Sequence, residues 1–219
     1  MSALQSGERA ARLARVRGIY PLADDDPRWR HRPLAVVEAA LRGGATVLQL
    51  RLKHTRDAAA LELARAALAL TRPAGALLFV NDRFDLADLA GADGVHLGHE
   101  DLAPEDLPVA VRERLLVGLS THTLEQVQAS RTRPVDYVAF GPVFGTTSKQ
   151  SEWSARGVAL LRDAVKLAGR PLVAIGGITA ANLAEVRSAG AAAAAVISQI
   201  SDAEDPAAAT AALQAELWR

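Results

Sequence analysis

The chain has 219 residues, half of them hydrophobic, which is enough to bury one sizeable core and predicts a single domain. Lys plus Arg and Asp plus Glu each total 25, so bulk charge excludes attraction to nucleic acid or to an anionic membrane. The absence of cysteine excludes disulfides, thiolate chemistry and cysteine-ligated zinc. No apolar run approaches the roughly 20 residues of a transmembrane helix, and the Ala/Arg-rich start lacks an apolar signal core, so we expect a cytoplasmic protein. A homo-oligomer is compatible with this composition.

Short apolar runs alternate along the chain with longer, Ala-rich amphipathic stretches. The predicted strands are Gly18–Leu22, Thr46–Leu50, Ala76–Val80, Gly94–Leu97, Leu115–Leu119, Asp136–Phe140, Leu172–Ile175 and Ala194–Ile197. The predicted helices lie at about 33–43, 57–70, 83–90, 104–112, 123–130, 157–168, 180–189 and 205–217. The pattern therefore consists of eight strand–helix units.

Continuous apolar strands that alternate with helices indicate a parallel sheet covered by helices. Eight such units favour the α/β class and a single (β/α)8 TIM barrel over residues 17–219, after a frayed or helical N-terminal extension over 1–16. The alternative is an open, doubly wound sheet, which usually carries a glycine-rich turn after its first strand. Residues 23–27 follow the first predicted strand and contain no glycine, which favours the barrel.

Polar residues follow seven of the eight predicted strands at their C-terminal ends. They are Gln49 to Lys53, Asn81 to Arg83, His96 to Asp101, Ser120 to His122, the 141–149 loop, Gly176-Gly177 and Ser198. The opposite strand ends supply fewer such groups. Because barrel active sites lie at the C-terminal face, this asymmetry predicts one site at the barrel mouth.

One part of that mouth has the chemistry of a pyrophosphate site. Arg51, Lys53 and Lys149 are cationic donors suited to phosphate oxygens. Asp82 and Asp101 follow neighbouring strands, and Mg²⁺ often takes one or two carboxylates together with substrate phosphates. We therefore predict a Mg²⁺ cofactor held by Asp82 and Asp101, beside the three cations.

A second part has the chemistry of a metal-free monophosphate site. Gly176-Gly177 is expected to open a helix near Thr179, and backbone N–H groups after strands seven and eight often bind phosphate. The 141–149 loop adds glycine, hydroxyls and a lysine, without the spacing of a Walker A loop. The predicted partners are therefore small phosphorylated molecules.

Each of these residues also allows a plainer interpretation. Asp82 could pair with Arg83 or cap the next helix, Asp101 could cap a helix near Pro104, and Arg51 could form a rim ion pair. Gly176-Gly177 could be only a tight turn, and Asp24-Asp25-Asp26 a solvated loop. His96 is expected to be a packed or hydrogen-bonded residue, and His99 and His122 to be surface residues. No serine has a credible His/Asp pair, so a protein nucleophile is not expected.

Taken together, six motifs resemble the thiamine phosphate synthase family in order and spacing from about residue 17 to 206. They are Gln49-Leu50-Arg51-Leu52-Lys53, Val80-Asn81-Asp82-Arg83, residues 92–101, Gly118-Leu119-Ser120-Thr121-His122-Thr123, residues 136–149 and Ala174-Ile175-Gly176-Gly177-Ile178. Each motif alone is weak, but six in the same order are specific. The resemblance implies a cytoplasmic transferase that condenses a pyrimidine diphosphate with a thiazole phosphate, and releases pyrophosphate.

The resemblance also implies a role for each matching residue. The pyrimidine diphosphate would be bound by Gln49, Leu50, Arg51, Leu52, Lys53, Asn81, Ser120 and Lys149, of which Arg51, Lys53, Ser120 and Lys149 would be catalytic. The thiazole phosphate would be bound by Thr146, Thr147, Ser148, Gly177, Ile197 and Ser198, and Mg²⁺ by Asp82 and Asp101.

A few positions depart from the family pattern. Leu52 replaces an acidic or polar residue, Ser148 a threonine, and His99 a glutamine. The related thiazole tautomerase usually has a histidine where this chain has Pro142 and lacks the Asn81-Asp82 pair, so the synthase is favoured. Another phosphate-binding barrel and a non-catalytic binding module are the remaining alternatives.

Overall fold

The computed structural model describes residues 3–146 and 153–217, in which eight parallel strands pair in chain order and close into one barrel. The strands are β1 (Gly18–Asp24), β2 (Val47–Arg51), β3 (Leu77–Asn81), β4 (Gly94–Leu97), β5 (Leu116–Thr121), β6 (Tyr137–Phe140), β7 (Leu172–Ile175) and β8 (Ala193–Val196). The barrel closes where β1 pairs with β8, for example at Gly18 and Ala193. The predicted (β/α)8 barrel is confirmed, and the open sheet is wrong.

Helices cover the outside of the barrel. They are α1 (Ala3–Leu13), α2 (Pro33–Arg42), α3 (Asp57–Thr71), α4 (Phe84–Ala90), α5 (Val109–Arg114), α6 (Leu124–Ser130), α7 (Gly157–Ala168), α8 (Leu183–Ser188), α9 (Ser198–Ser201) and α10 (Pro206–Leu217). The main apolar core lies between helices and strands and includes Val37, Leu48, Val80 and Leu161. Within the described ranges, every helix is too short or too polar to cross a membrane.

Two predicted helices differ from the observed ones. The helix predicted at 104–112 begins only at Val109, because turns occupy the stretch between Pro104 and Pro108. The helix expected near Thr179 begins at Leu183, since the Asn182 side chain binds the Thr179 N–H and the Gly177 carbonyl. The short α9 was not predicted.

The barrel interior is a second, separate core. Tyr20, Phe79 and Tyr137 are fully buried there. Glycines on neighbouring strands make room for two of these rings, since a Cβ on Gly94 would lie 2.3 Å from Phe79 and one on Gly118 would lie 2.2 Å from Tyr137. The interior is therefore packed, and the open space lies above it at the strand C-terminal ends.

Helix α1 contacts the opposite, N-terminal end of the barrel. Arg9 binds both carboxylate oxygens of Asp136, just before β6, at 2.7 and 2.6 Å. Arg12 forms an ion pair with Asp93, just before β4. The two carboxylates also accept strand N–H groups, from Val117 and Leu78 respectively. Helix α1 is thus held to the barrel by arginines whose partners already join neighbouring strands.

Candidate active site at the barrel mouth

A cavity of about 940 Å³ opens at the C-terminal ends of the strands. Ten of the residues predicted for the site line it, namely Arg51, Lys53, Asn81, Asp82, Asp101, Ser120, Thr146, Gly177, Ile197 and Ser198. The structure thus brings residues from seven strand ends into one pocket, as barrel sites require. Their individual roles stay predictions.

Of the six other predicted residues, three are described by the structure and do not line this cavity. Thr147, Ser148 and Lys149 lie outside the described residues. The Leu50 side chain is fully buried in the helix-covered core, and Leu52 packs partly against the same core. Gln49 is buried inside the barrel. Because side chains alternate between the two faces of a strand, the Leu50 and Leu52 side chains point outward, and the binding role of these two residues stays a prediction.

The acidic part of the cavity is built from three side chains. Lys53 Nζ forms an ion pair with Asp82, and the carboxyl groups of Asp82 and Asp101 lie within hydrogen-bonding distance of each other. Asp101 Oδ2 also accepts the Gly98 N–H at 2.6 Å. Neither aspartate caps a helix, since α4 has no side-chain cap and α5 begins eight residues after Asp101. The plainer interpretations of Asp82 and Asp101 are therefore wrong.

The two carboxyl groups have opposite electrostatic situations. Burial and the neighbouring Asp82 raise the pKa of Asp101 to about 6. Burial also acts to raise the pKa of Asp82, but its contacts with Asp101 and Lys53 outweigh that effect and lower it. Two carboxyl groups in contact repel each other when both are ionised, so this pair is suited to share a cation.

The backbone at Asp82 is unusual. Its φ is +62°, and among the described residues no other non-glycine residue has a positive φ. The Asp82 N–H donates to the His96 carbonyl at 2.8 Å, which holds this conformation. A left-handed conformation at a residue with a side chain costs about 1–3 kcal/mol and is concentrated at functional sites. Strain at Asp82 is therefore consistent with a functional role for its carboxylate.

Arg51 at the end of β2 is held by an aspartate from β1. Its guanidinium lies 2.5 Å from Asp24, whose side chain is completely buried. The rim ion pair considered for Arg51 is therefore present, while the side chain still lines the cavity. Because Arg51 has five donors and Asp24 engages only part of them, the remaining donors can serve a ligand.

Asp25 holds the loop that carries Lys53. Its carboxylate accepts the backbone N–H groups of Lys53, His54 and Thr55 at 2.6 to 3.2 Å. Burial opposes ionisation, but these hydrogen bonds outweigh it and lower the pKa of Asp25. The prediction of a solvated Asp24-Asp25-Asp26 run is wrong for Asp24 and Asp25, which are buried. The partners come from residues 51–55, so no local pattern could have revealed them.

The far side of the cavity is formed by two tightly packed loops. Gly176 and Gly177 have φ of +99° and +63°, and a Cβ on Gly177 would lie 2.3 Å from the Gly145 carbonyl oxygen. Only glycine fits this close approach. Ile197 and Ser198 at the start of α9 face the same space. Backbone N–H groups of a short extra helix after the last strand are a common phosphate site in barrels.

Three stacked rings also line the cavity. The His122 ring stacks on Trp153 at 5.1 Å, with His99 at 5.5 Å on one side and Arg156 over the Trp153 ring on the other. His99 is exposed and His122 half-buried, which agrees with the surface positions predicted for them, and both also line the cavity. His99 contacts His122, which lies 23 residues further along the chain, and His122 contacts Trp153, 31 residues further on, so sequence spacing carried no signal.

The closed barrel and its polar mouth define the class of the protein, a TIM barrel with its candidate site at the C-terminal ends of the strands. The profile of the thiamine monophosphate synthase family matches residues 19–200. This chain belongs to that family.

Individual relatives agree with the family assignment. A thiamine-phosphate synthase of Anaeromyxobacter dehalogenans is 42% identical over 98% of this chain and 94% of that protein. One from a Synechococcus strain is 44% identical over 80% of this chain, which spans only 49% of that longer protein. The solved thiamine phosphate pyrophosphorylase of Pyrococcus furiosus is 34% identical with a TM-score of 0.85, over 94% of this chain and 98% of that chain.

Proposed function

We propose that this chain is a transferase that makes thiamine monophosphate. It would join 4-amino-5-hydroxymethyl-2-methylpyrimidine diphosphate to 4-methyl-5-(2-phosphoethyl)thiazole and release pyrophosphate. The observation that carries the proposal is the placement of the Lys53–Asp82–Asp101 cluster and the Gly177–Ser198 side in one cavity. Two anion sites of different chemistry are what two phosphorylated substrates require.

The diphosphate would bind on the side of the cluster. Arg51 and Lys53 can donate to its oxygens, and Asn81 lies beside them on the next strand. Lys149 stays a prediction as the fourth group on this side. Positive charge here stabilises the leaving pyrophosphate as the bond to carbon breaks.

Asp82 and Asp101 fit Mg²⁺. They are two hard oxygen ligands in contact, and among the described residues no cluster of three or more acidic or histidine side chains offers a fully protein-ligated site. That arrangement suits Mg²⁺, which keeps water and substrate phosphate as further ligands. When bound, Mg²⁺ would supply charge that neutralises the diphosphate.

The thiazole phosphate would bind on the opposite side. Gly177, Ile197 and Ser198 line it, and Thr146 adds a hydroxyl from the loop after β6. Thr147 and Ser148 stay predictions for the same site. Holding the thiazole in line with the pyrimidine contributes several kcal/mol, because the reaction then needs no further loss of orientational freedom.

The reaction needs no protein nucleophile. Electrons from the aminopyrimidine expel pyrophosphate as the carbon–oxygen bond breaks, and the thiazole nitrogen then forms the new carbon–nitrogen bond. One serine does have a histidine partner, since Ser120 Oγ lies 3.0 Å from His96 Nε2. The third partner of this pair is the Tyr137 hydroxyl rather than a carboxylate, so the arrangement differs from a Ser-His-Asp triad.

The competing functions are less well supported. The relatives named above are synthases, which does not favour a thiazole tautomerase or a non-catalytic binding module. The cytoplasmic location and a homo-oligomeric assembly stay predictions.

The test is product formation by the purified full chain. It is mixed with both substrates and Mg²⁺, with EDTA in a parallel reaction, and thiamine monophosphate is measured. Product that disappears with EDTA is expected. Folded protein that yields no product but converts a thiazole tautomer would overturn the proposal in favour of the tautomerase.

A further inference from the structure

The ion pair between Asp24 and Arg51 links two neighbouring strands at the edge of the cavity. Asp24 ends β1, Arg51 ends β2, and the two residues are directly opposite each other in the parallel pairing. Side chains at paired positions of adjacent strands lie on the same face of the sheet, so the carboxylate and the guanidinium meet. Asp24 Oδ2 lies 2.5 Å from Arg51 Nη1, and Arg51 also lines the cavity.

The Asp24 carboxylate is held from two directions. Its side chain is completely buried, and its other oxygen, Oδ1, accepts the Asp26 N–H at 2.9 Å. All seven residues of β1 are buried, so the strand that carries this carboxylate is fixed in the barrel wall. A buried carboxylate that lost its cation would be a charge without a partner, which is strongly unfavourable. Arg51 is therefore anchored more firmly than an arginine in an exposed ion pair.

This anchor decides which part of the guanidinium is left for a ligand. Asp24 binds at Nη1, and within the described part of the chain no other protein group binds the edge formed by Nε and Nη2. These two nitrogens carry parallel N–H bonds, and such an edge binds a phosphate with two hydrogen bonds at once. The Arg51 side chain is 18% exposed, so part of the guanidinium can be reached from the cavity.

We propose that Asp24 is a positioning residue that holds Nη1 of Arg51 and so presents the Nε–Nη2 edge to the diphosphate of the pyrimidine substrate. The identity of that substrate rests on the proposed function. Two hydrogen bonds from one rigid fork fix both the place and the orientation of a phosphoryl group, and they oppose the charge that grows on the leaving pyrophosphate. Without the anchor, the arginine would lose more conformational freedom on binding and would bind the diphosphate less tightly.

The charge of Asp24 has an effect of the opposite sign. It weakens the attraction between Arg51 and any anion, so removal of the charge alone would tighten diphosphate binding. The guanidinium separates Asp24 from a ligand on the Nε–Nη2 edge, so this repulsion acts over a longer distance than the direct hydrogen bonds do. We therefore expect the loss of positioning to exceed the gain in charge. The two effects change pyrophosphate affinity in opposite directions, which makes them separable by experiment.

Binding of inorganic pyrophosphate to the purified full chain with Mg²⁺ tests the positioning role without the reaction. Asp24→Asn keeps the size of the side chain but has one acceptor oxygen, whereas the native contacts use two. We expect the Kd from titration calorimetry to rise about tenfold, the size of one charge-assisted hydrogen bond. An unchanged or lower Kd in folded Asp24→Asn would overturn the proposal, as would a wild-type chain that binds no pyrophosphate.

A double-mutant cycle shows whether Asp24 acts through Arg51. In the Arg51→Ala background, Asp24→Asn should change the Kd for pyrophosphate by less than about twofold. A tenfold effect that persists in this background would indicate a merely structural role and overturn the proposal.

Asp136→Asn is the matched control. Asp136 is 11% exposed and is also paired with an arginine, Arg9, but it lies at the opposite end of the barrel. This variant should leave the Kd for pyrophosphate unchanged. An equal rise in Asp24→Asn and Asp136→Asn would contradict a specific role for Asp24.

Arg51→Lys keeps the proposal testable if no Asp24 variant folds. Lysine retains the positive charge and can pair with Asp24, but its single nitrogen offers no second edge to a ligand. The Kd for pyrophosphate should therefore rise about tenfold. A wild-type Kd in Arg51→Lys would show that charge alone is sufficient and would overturn the proposal.

Kinetics connect the positioning role to the reaction. Asp24→Asn should lower kcat/KM for the pyrimidine diphosphate about tenfold and leave the KM for the thiazole phosphate within about twofold of wild type. An equal rise in both KM values would indicate a general distortion of the mouth and overturn the proposal. Failure of the proposed function is distinct, because the wild-type chain would then make no thiamine monophosphate while its pyrophosphate affinity still depended on Asp24.

Discussion

The two ends of the barrel use aspartates in opposite ways. At the N-terminal end, Asp93 and Asp136 each bind a strand N–H and an arginine of α1. At the mouth, Asp82 and Asp101 contact each other beside Lys53, and Asp82 has a positive φ. The aspartates at the N-terminal end are placed apart, each between a strand and α1, whereas those at the mouth are placed side by side.

This difference separates stability from function within one fold. Carboxylates whose partners are complete stabilise the protein and have no capacity left for a ligand. Carboxylates placed side by side on a strained backbone reduce stability, and they can take a further partner when a cation or substrate binds. Changes at the mouth should therefore alter activity, and changes at the N-terminal end should alter unfolding.

The largest effect is expected at Asp82. Asp82→Ala should lower kcat by about 10²- to 10³-fold, since charge stabilisation of the leaving group depends on this carboxylate. Thiamine monophosphate formation is the measurement, with circular dichroism to establish folding. Asp85→Ala, three residues along and paired with Arg83 at the surface, is the control and should keep wild-type activity. A wild-type rate in folded Asp82→Ala would contradict the assignment of Asp82 to the active site.

Asp82→Gly separates the role of the Asp82 carboxylate from the strain of its backbone. Glycine adopts a positive φ without steric cost, so this variant should be more stable than Asp82→Ala by about 1 kcal/mol in urea unfolding. Both variants should be equally inactive. Equal stability of the two would show that the backbone at residue 82 relaxes on substitution.

The next largest effect on activity is expected at Gly177. A methyl group there would collide with the Gly145 carbonyl, so Gly177→Ala should raise the KM for the thiazole phosphate by about 10- to 100-fold. Gly190→Ala is matched, since Gly190 also has a positive φ but its Cβ would meet only Val165, outside the cavity. If both variants changed KM alike, the effect would reflect general backbone strain.

A smaller effect is expected at Asp25. Asp25→Asn removes the charge that holds the Lys53–Thr55 backbone, so the KM for the pyrimidine diphosphate should rise about tenfold while kcat stays nearly constant. Asp26→Asn is the neighbouring control. A fall in kcat with constant KM would indicate a role in the chemical step instead.

Asp25 also predicts a pH dependence of stability. Its pKa is lower in the folded protein than in the unfolded chain, so its contribution is fully present above the unfolded pKa of about 3.9. The contribution is lost as pH falls through the folded value. The difference in urea midpoint between wild type and Asp25→Asn should therefore shrink below about pH 4. A difference independent of pH would contradict this.

The smallest effect on activity is expected at the N-terminal end. Arg9→Ala should lower the free energy of unfolding by about 1–3 kcal/mol, because Asp136 loses its charged partner, and leave kcat and KM unchanged. Arg42→Ala breaks an exposed pair with Glu38 and should cost less than about 0.5 kcal/mol. Loss of activity in folded Arg9→Ala would contradict the inference that the N-terminal end of the barrel contributes to stability and not to activity.

The fold was predictable because apolar runs mark parallel strands. All eight strands were found within about two residues of their bounds, since buried strands need apolar residues on both faces. Helix α9 was missed because its four residues carry no periodicity. Helix α5 was placed too early, since the turns before Val109 depend on two prolines and tertiary packing.

The candidate site was predictable where chain position alone brings residues together. Asp82 and Asp101 follow adjacent strands, so the barrel rule was enough to make them neighbours. Asp24 and Asp25 were misjudged because their burial depends on residues 51–55, which come from another loop. Tyr137 was not considered, because inward and outward positions of a short buried strand look alike in sequence.

Helix α1 precedes every strand in the chain but depends on residues that come much later. Arg12 binds a residue 81 positions on, and Arg9 binds one 127 positions on. During synthesis, α1 therefore cannot form all its contacts with the barrel until Asp136, just before β6, has left the ribosome. Such distant contacts slow folding, because a long loop must close before they form. Helix α1, which is synthesised before every strand, is thus joined to the barrel only after most of the strands have formed.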